Sequence, residues 1–347
     1  MKKTLLTLSI AAVFAVGASA AEFKAGTYTA KAPGIHGDVT VTVTFTKDKI
    51  ADVKVTHSET PGIGSKAAEL LPGRIVERQS PQVDGVTGAT ITSTAIRTAV
   101  ADTVKQAGAD PAALVPLAVK KQAKNETVDT DVVVVGGGGA GMSATIRTRM
   151  NGLNVVLVEK MPFIGGAASI SGGQVVAQGS KLQKAFGVTD DSVESMVKDF
   201  QANGHNLNDL SKLTLYAKNV GPTIDWLHDQ VGVKFIPNDL PFLAEYSHRR
   251  ALEFQGGAGT MAQHLREVIG SNGAKVLFNT RVEKLIVEDG KVTGVEAVDG
   301  NTGTKYTIRA KKTLLTTGGY GNNKNLLTDT YKNTLYYGPV SSTGDGL

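Results

Sequence analysis

Apolar and polar positions alternate strictly through Thr40-Val41-Thr42-Val43-Thr44-Phe45 and again from Ile50 to Val55, with a Lys47-Asp48-Lys49 turn between them. Alternation of period two belongs to half-buried β-strands. A helical pattern follows from Thr92 to Lys105, so residues 21–109 are expected to form a small α+β domain. Between Asp110 and Thr130 the chain carries Pro111, Pro116 and a polar run from Lys120 to Glu126, which predicts a surface connector with some helix. From Asp131 the runs Val132 to Val135 and Val155 to Val158 are apolar without interruption, the pattern of parallel strands covered by helices on both faces. Further strands are expected at Lys275 to Phe278, Val282 to Val287, Val292 to Val298, Tyr306 to Arg309 and Thr313 to Leu315. Asp289-Gly290 and Asn301-Thr302-Gly303 are hairpin signals that make these later strands an antiparallel insert. The predicted fold class is α/β: the small α+β domain, a connector over 110–130, and a Rossmann-like domain over 131–347 with an antiparallel insert.

The same patterning sets residues 1–20 apart. Lys2 and Lys3 precede a short apolar run, Leu5 to Val16, and the small residues Ala18-Ser19-Ala20. Together they predict a secretory signal peptide, since the run is well short of the ~20 apolar residues that cross a bilayer. The mature protein is therefore expected in the periplasm, exported before folding because no twin arginine is present.

Composition narrows the chemistry. The 347 residues include forty glycines and no cysteine. That excludes disulfides, a thiolate nucleophile, cysteine-ligated iron–sulfur clusters and thioether-bound haem. The formal net charge of +5 includes Lys2 and Lys3 and is too scattered to suggest nucleic acid. His36, His57, His205, His228 and His264 lack metal-ligand spacing, so no metal site is expected.

Asp131 to Val135, then Gly136-Gly137-Gly138-Gly139-Ala140-Gly141, then a helix-like Met142 to Met150, satisfy the strand, G-x-G-x-x-G and helix context of a dinucleotide site. Gly136, Gly138, Gly139, Ala140 and Gly141 let the backbone approach a pyrophosphate at the positive end of the helix. Glu159 stands about twenty residues on, where its carboxylate can accept from ribose hydroxyls.

A second glycine-rich stretch follows, Lys160-Met161-Pro162-Phe163-Ile164-Gly165-Gly166 and then Ser169-Ile170-Ser171-Gly172-Gly173. With Arg249-Arg250, Gly256-Gly257-Ala258-Gly259, Asn279-Thr280-Arg281-Val282, Thr316-Thr317-Gly318-Gly319-Tyr320 and Gly344-Asp345-Gly346, it resembles the fumarate reductase and succinate dehydrogenase flavoprotein family. The resemblance implies FAD held by the first glycine motif, by Glu159 and Lys160, and by Gly165, Gly166, Ala167, Ala168 and Ser171. It places Gly172 and Gly173 against flavin and substrate, Val282 at the adenine, Asp345 near the ribityl chain, and Thr317 and Gly318 among the FAD contacts. Two departures matter. Ala167 replaces the Asn usual in soluble members, removing one side-chain contact, and the His-Ser pair of covalently flavinylated members is missing, so FAD is expected to bind non-covalently. The family's capping domain, catalytic arginine acid and substrate-clamping residues are expected beyond Leu347, which makes the chain an incomplete protein on this reading.

Earlier in the chain, Asp84-Gly85-Val86-Thr87-Gly88-Ala89-Thr90 resembles the target of flavin transferase, in which FMN is attached through its phosphate to the last threonine. Glu59-Thr60-Pro61-Gly62-Ile63-Gly64 resembles the second signature of the same FMN-binding domain. Thr90 supplies the hydroxyl, Gly88 and Ala89 the room, Asp84 an acid nearby, and Thr87, Thr60 and Gly62 complete the expected FMN site. A Ser/Thr-rich turn capping the following helix is the plainer alternative.

His248, Arg249 and Arg250 form the densest cationic cluster outside the connector, so Arg249 and Arg250 are candidate substrate ligands, with surface solvation as the alternative. Trp226, with Ile224 and Leu227, reads as helix packing. The two flavin resemblances together imply a relay from a membrane-linked quinol dehydrogenase or cytochrome, through FMN to FAD, to the carbon–carbon double bond of a small unsaturated carboxylate such as fumarate or urocanate. An amino-acid oxidase and an FMN electron carrier are the other readings, told apart by peroxide production in air and by acceptor turnover.

Overall fold

The computed structural model describes residues 22–60, 64–86, 89–117, 123–237, 240–323, 325–327 and 342–346. The expected leader lies outside them, as do Pro61, Gly62, Ile63, Thr87 and Gly88. Two compact units are distinguished, the first of residues 1–59, 67–85 and 90–119, which holds the N-terminal sheet, and the second of residues 60–66, 86–89 and 120–347.

In the first unit β1 (Gly26–Pro33), β2 (Asp38–Phe45) and β3 (Ile50–Thr56) form an antiparallel sheet in that order. The alternation in β2 sends Val39, Val41, Val43 and Phe45 into the core, while Thr42 and Thr44 pair by their hydroxyls with Thr29 and Thr27 on the other face. Two helices follow, α1 (Gly64–Arg78) and α2 (Thr90–Gln106). The sequence pattern does not anticipate α1, because Pro72-Gly73 reads as a break. Ala67, Leu71 and Ile75, fully buried at helical spacing, hold it in place across the proline. In α2 the stripe Ile96, Ala99, Val100, Thr103 and Val104 is fully buried.

The second unit opens with β4 (Asn125–Val135), which begins inside the expected connector. It continues through α3 (Gly139–Met150), β5 (Val155–Val158), β6 (Gln174–Val176), α4 (Lys181–Ala185), α5 (Val193–Asn203) and α6 (Leu210–Trp226). After these come β7 (Ala251–Glu253), α7 (Gly257–Ser271), β8 (Lys275–Leu277), β9 (Thr280–Glu288), β10 (Lys291–Asp299) and β11 (Lys305–Leu315). The main sheet runs β8-β5-β4-β11-β10-β9; β8, β5, β4 and β11 are parallel, and the β9–β10 hairpin extends the sheet antiparallel from β11. Asp289 and Gly290, at φ 49° and 72°, make the left-handed turn of that hairpin. The two runs expected at Tyr306 to Arg309 and Thr313 to Leu315 are one strand, because β11 pairs along β4 from Asn125 to Val135.

Alternate residues of β4 serve two cores. Val132 and Val134 pack with Met142, Ile146, Leu157 and the residues of α5 to α7, whereas Val133 and Val135 pack with Val156, Val295 and Ile308. Trp226 closes α6 with the Arg147 guanidinium 5.6 Å from its ring, and a π-helical turn, Leu227–Val231, follows. Among the described residues no helix is long and apolar enough to cross a membrane.

Candidate functional site

In the first unit Thr90 is the first residue of α2, exposed, with no hydrogen bond to its side chain among the described residues. The preceding loop is pinned from behind: Arg74 donates to the carbonyls of Asp84 (3.1 Å) and Gly85 (3.3 Å). Asp84 is exposed and Ala89 buried. The Ala89 amide donates to the Val86 carbonyl and the Ser65 amide to the Thr60 carbonyl.

Glu59 supplies a feature that the motif contained without announcing. It is 4% exposed; Oε1 accepts from the amides of Ile35 (2.8 Å) and His36 (3.2 Å), and Oε2 accepts from the Thr92 hydroxyl. The carboxylate thus ties the β1–β2 turn to the first turn of α2, two residues beyond Thr90. A side chain at Gly34 would overlap Glu59, so the turn closes over it only as glycine. Burial works to raise the Glu59 carboxyl, but the bonds from Thr92, His36 and Ile35 outweigh it and hold it below the ordinary range. A depressed carboxyl contributes stability above its unfolded value of about 4.3, and that contribution is lost as pH falls through the lower folded value. Glu59→Ala is expected to cost about 2–4 kcal/mol by stranding two amides and a buried hydroxyl. Urea unfolding at neutral and acid pH checks both the loss and a flatter acid limb in the variant.

In the second unit the expected residues gather where β4, β5 and β11 end. Gly136 leaves β4, and Thr316, just past β11, donates its hydroxyl to the Gly136 carbonyl at 2.7 Å. The turn is packed inward and open outward: a Cβ at Gly141 would overlap the Gly136 carbonyl oxygen and one at Gly137 would overlap Ile164, whereas one at Gly138 would meet nothing within 4 Å. Gly138 caps α3 without a side-chain hydrogen bond and the first turn has no acid, so its free N–H groups and positive dipole face an open surface with Gly139 and Ala140.

The second glycine stretch lies against the first. Gly165 donates to the Gly137 carbonyl at 2.7 Å, a Cβ at Gly166 would stand 3.1 Å from the Gly138 Cα, and one at Gly139 would stand 3.0 Å from the Ala168 Cβ. Ala167 and Ala168 sit in a 3-10 turn, Gly166–Ile170, which Ser171 closes by donating to Ala168. Gly172 is exposed, and Gly173 is buried against the start of α7, where a Cβ would come within 3.0 Å of the Ala258 nitrogen.

Glu159, at the end of β5, is 8% exposed and accepts from the amides of Gly137 (2.7 Å) and Met161 (2.8 Å). Its first task is to join the two glycine stretches; burial pushes the carboxyl up, beyond what those bonds and Lys160 reverse. Lys160 and Arg281 both pair with Asp345, and Lys160 also reaches the Thr343 hydroxyl at 2.7 Å. Burial opposes the ionised form of Asp345, but these partners hold it far below the usual range. Thr317 and Gly318 follow β11, where a Cβ at Gly346 would overlap the Thr317 hydroxyl, and Val282 sits on β9 opposite Ala297 with its side chain against the second core.

Arg250 requires a correction. Arg250 is 1% exposed and fully engaged: Nε and Nη2 grip Asp191, both at 2.7 Å, Nη1 meets Asp199 at 2.5 Å, and Nη2 also donates to Ser195 at 2.9 Å. With every arm of its fork taken by Asp191, Asp199 and Ser195, it serves the packing of α5 against the loop before β7 and is neither a solvated charge nor free for a substrate. Arg249 is exposed, bonded to the Leu240 carbonyl and lying over Phe242.

With this geometry in hand, residues 131–347 match the model of the FAD binding domain and residues 34–105 that of the FMN-binding domain. Urocanate reductase of Eggerthella lenta is 34% identical over 88% of this chain and 51% of its own length. NADH:acrylate oxidoreductase of Vibrio harveyi is 29% identical over 88% of this chain and 36% of its own. Among solved structures, the open conformation of a flavocytochrome c3 fumarate reductase aligns with a TM-score of 0.58 at 34% identity, over 63% of this chain and 39% of that one. The chain belongs to the FAD-binding flavoprotein family that includes the fumarate and urocanate reductases, and it carries an FMN-binding domain ahead of that fold. It spans about half or less of the length of these relatives. The residues fit a dinucleotide: the uncapped α3 terminus and the open face at Gly138 leave room for a pyrophosphate where any side chain would intrude.

Proposed function

We propose that this chain is the flavin-carrying part of a periplasmic reductase that moves electrons from FMN, esterified to Thr90, to non-covalent FAD and on to the C=C bond of a small unsaturated carboxylate. The observation that carries the reading is the coexistence, in one cysteine-free chain, of an FMN-binding domain and an FAD-binding domain of the fumarate reductase type. When bound, FMN supplies one-electron acceptance and FAD supplies hydride to carbon. The chain's own residues do the holding: Gly136 to Gly141 and the α3 terminus take the dinucleotide phosphates, Glu159 fixes the two glycine stretches against each other, and Gly172 and Gly173 leave a side-chain-free wall for substrate. Thr90 offers its hydroxyl from the first turn of α2, which Glu59 holds through Thr92.

The electron donor on this reading is a membrane-linked quinol dehydrogenase or cytochrome, and a flavin transferase matures the protein. The relatives named for urocanate, acrylate and fumarate support an acceptor with a double bond conjugated to a carboxylate. The full-length protein, supplied with reduced viologen under anaerobic conditions, is expected to oxidise it on addition of one such acceptor. Peroxide formation in air with no acceptor turnover would support an oxidase instead, and flavin reduction without either product would support a carrier.

A further inference from the structure

Beneath the second glycine stretch lies a cation with no counter-ion among the described residues. Arg266, on α7, donates Nη1 to the Ile164 carbonyl at 2.9 Å, while its Nη2 is buried with no hydrogen-bond partner. Beside it, the hydroxyl of Ser169, a residue 6% exposed, is likewise buried and unpartnered; a Cβ at Gly165 would overlap that hydroxyl and stand 3.0 Å from Arg266 Nη1. No carboxylate lies within ion-pair distance of Arg266 among the described residues. The nearby acids are committed elsewhere or remote: Glu159 to the Gly137 and Met161 amides, Asp345 to Lys160 and Arg281, while Glu267 acts only at longer range. Burial pushes the guanidinium down, with Glu267 alone opposing.

A buried charge left unpaired is costly, and proteins otherwise pair it or expose it. The segment that Arg266 grips, Ile164 to Gly166, is also the segment that abuts Gly137 and Gly138 at the uncapped end of α3. A cation on one side of that loop and free amides on the other define a single electropositive wall.

We propose that Arg266, half-buried with its Nη2 sealed from water, is the counter-charge for the pyrophosphate of the dinucleotide, acting with the α3 terminus through the Ile164–Gly166 loop. This rests on the FAD reading above and adds to it a positioning residue that lies outside both glycine motifs. The empty protein bears an uncompensated cation, and binding a dianion relieves it, so flavin affinity and stability are linked through one side chain.

The test compares Arg266→Met with wild type in the full chain stripped of flavin, using FAD, ADP and riboflavin as probes in fluorescence and calorimetric titrations. Arg266→Met is expected to melt no lower than wild type when empty, and to bind both FAD and ADP about tenfold more weakly. Riboflavin, which has no phosphate, should bind equally to both. Arg266→Lys, which keeps the charge, should recover most of the ADP affinity. The proposal is overturned if the Met variant binds ADP as wild type does, or if it melts lower when empty and loses FAD and riboflavin affinity by one common factor, the signature of a merely structural arginine. If Met fails to fold, the Lys variant decides alone: weakening of ADP and riboflavin by the same factor sinks the idea. Failure of wild type to bind FAD or ADP at all would overturn the dinucleotide reading, and this inference with it.

Discussion

Thr90→Ala, co-expressed with a flavin transferase, is expected to carry no covalent FMN, while the parent protein carries one on the peptide containing residue 90. Thr90 is exposed at the start of α2 with its hydroxyl uncommitted, which suits a nucleophile that must reach a phosphate on another protein's terms. Neighbouring hydroxyls cannot substitute. Thr92 is fully buried and donates to Glu59, and Thr94 accepts from Arg97 one helical turn further on. Thr90→Ser should restore the adduct at reduced yield, because the hydroxyl returns without the methyl that restricts its rotamers. Intact and tryptic peptide masses read the result. An adduct that persists in Thr90→Ala would remove the attachment site proposed here; no adduct on the parent would remove the electron-input argument and bring the oxidase reading forward.

The second large effect comes from a pair of glycines three residues apart. Gly141→Ala is expected to abolish FAD binding and to destabilise the second unit by about 3 kcal/mol or more, since the new methyl would collide with backbone at Gly136 and force α3 off β4. Gly138→Ala should do the opposite to the empty protein. Its φ of −71° suits any residue and its Cβ would meet nothing, so stability should change by no more than about 1 kcal/mol. FAD affinity should nevertheless fall at least tenfold, because the methyl projects into the space the phosphates need. Thermal melts and FAD titrations on the two variants separate packing glycines from ligand-facing ones. Wild-type affinity in Gly138→Ala would show that the phosphates lie elsewhere.

The glycine turn, the hairpin at Asp289-Gly290 and the helix expected from Thr92, which begins two residues earlier, were legible because each depends on local backbone rules that a few adjacent residues spell out. Where long-range packing decides, the sequence was mute. The early start of β4 at Asn125 depends on a partner strand far along the chain, and α1 survives Pro72 only because Ala67, Leu71 and Ile75 are buried. Charge was the most misleading signal. Arg249-Arg250 reads as one cluster, yet one arginine is exposed and the other is sealed against Asp191 and Asp199, acids about fifty to sixty positions upstream. Arg266 carried no signal at all, sitting singly in an ordinary amphipathic helix; its interest lies in what is missing around it. Glu59 was visible within a motif, but only the amides of Ile35 and His36 reveal that it organises the turn.

The pairing of β4 with β11 also governs how the second unit comes into being. Asn125 faces Lys305 across the centre of the sheet, so that contact closes a loop of about 180 residues, a slow step by the entropy of loop closure. Until β11 pairs, the edge of β4 that does not face β5 leaves Val132 to Val135 as a bare, apolar strand edge, the kind of surface on which partly folded chains stick to one another. A chaperone that shields this edge until β11 docks would decide the yield of folded protein, and the vulnerable epitope is the same strand that later carries the glycine turn.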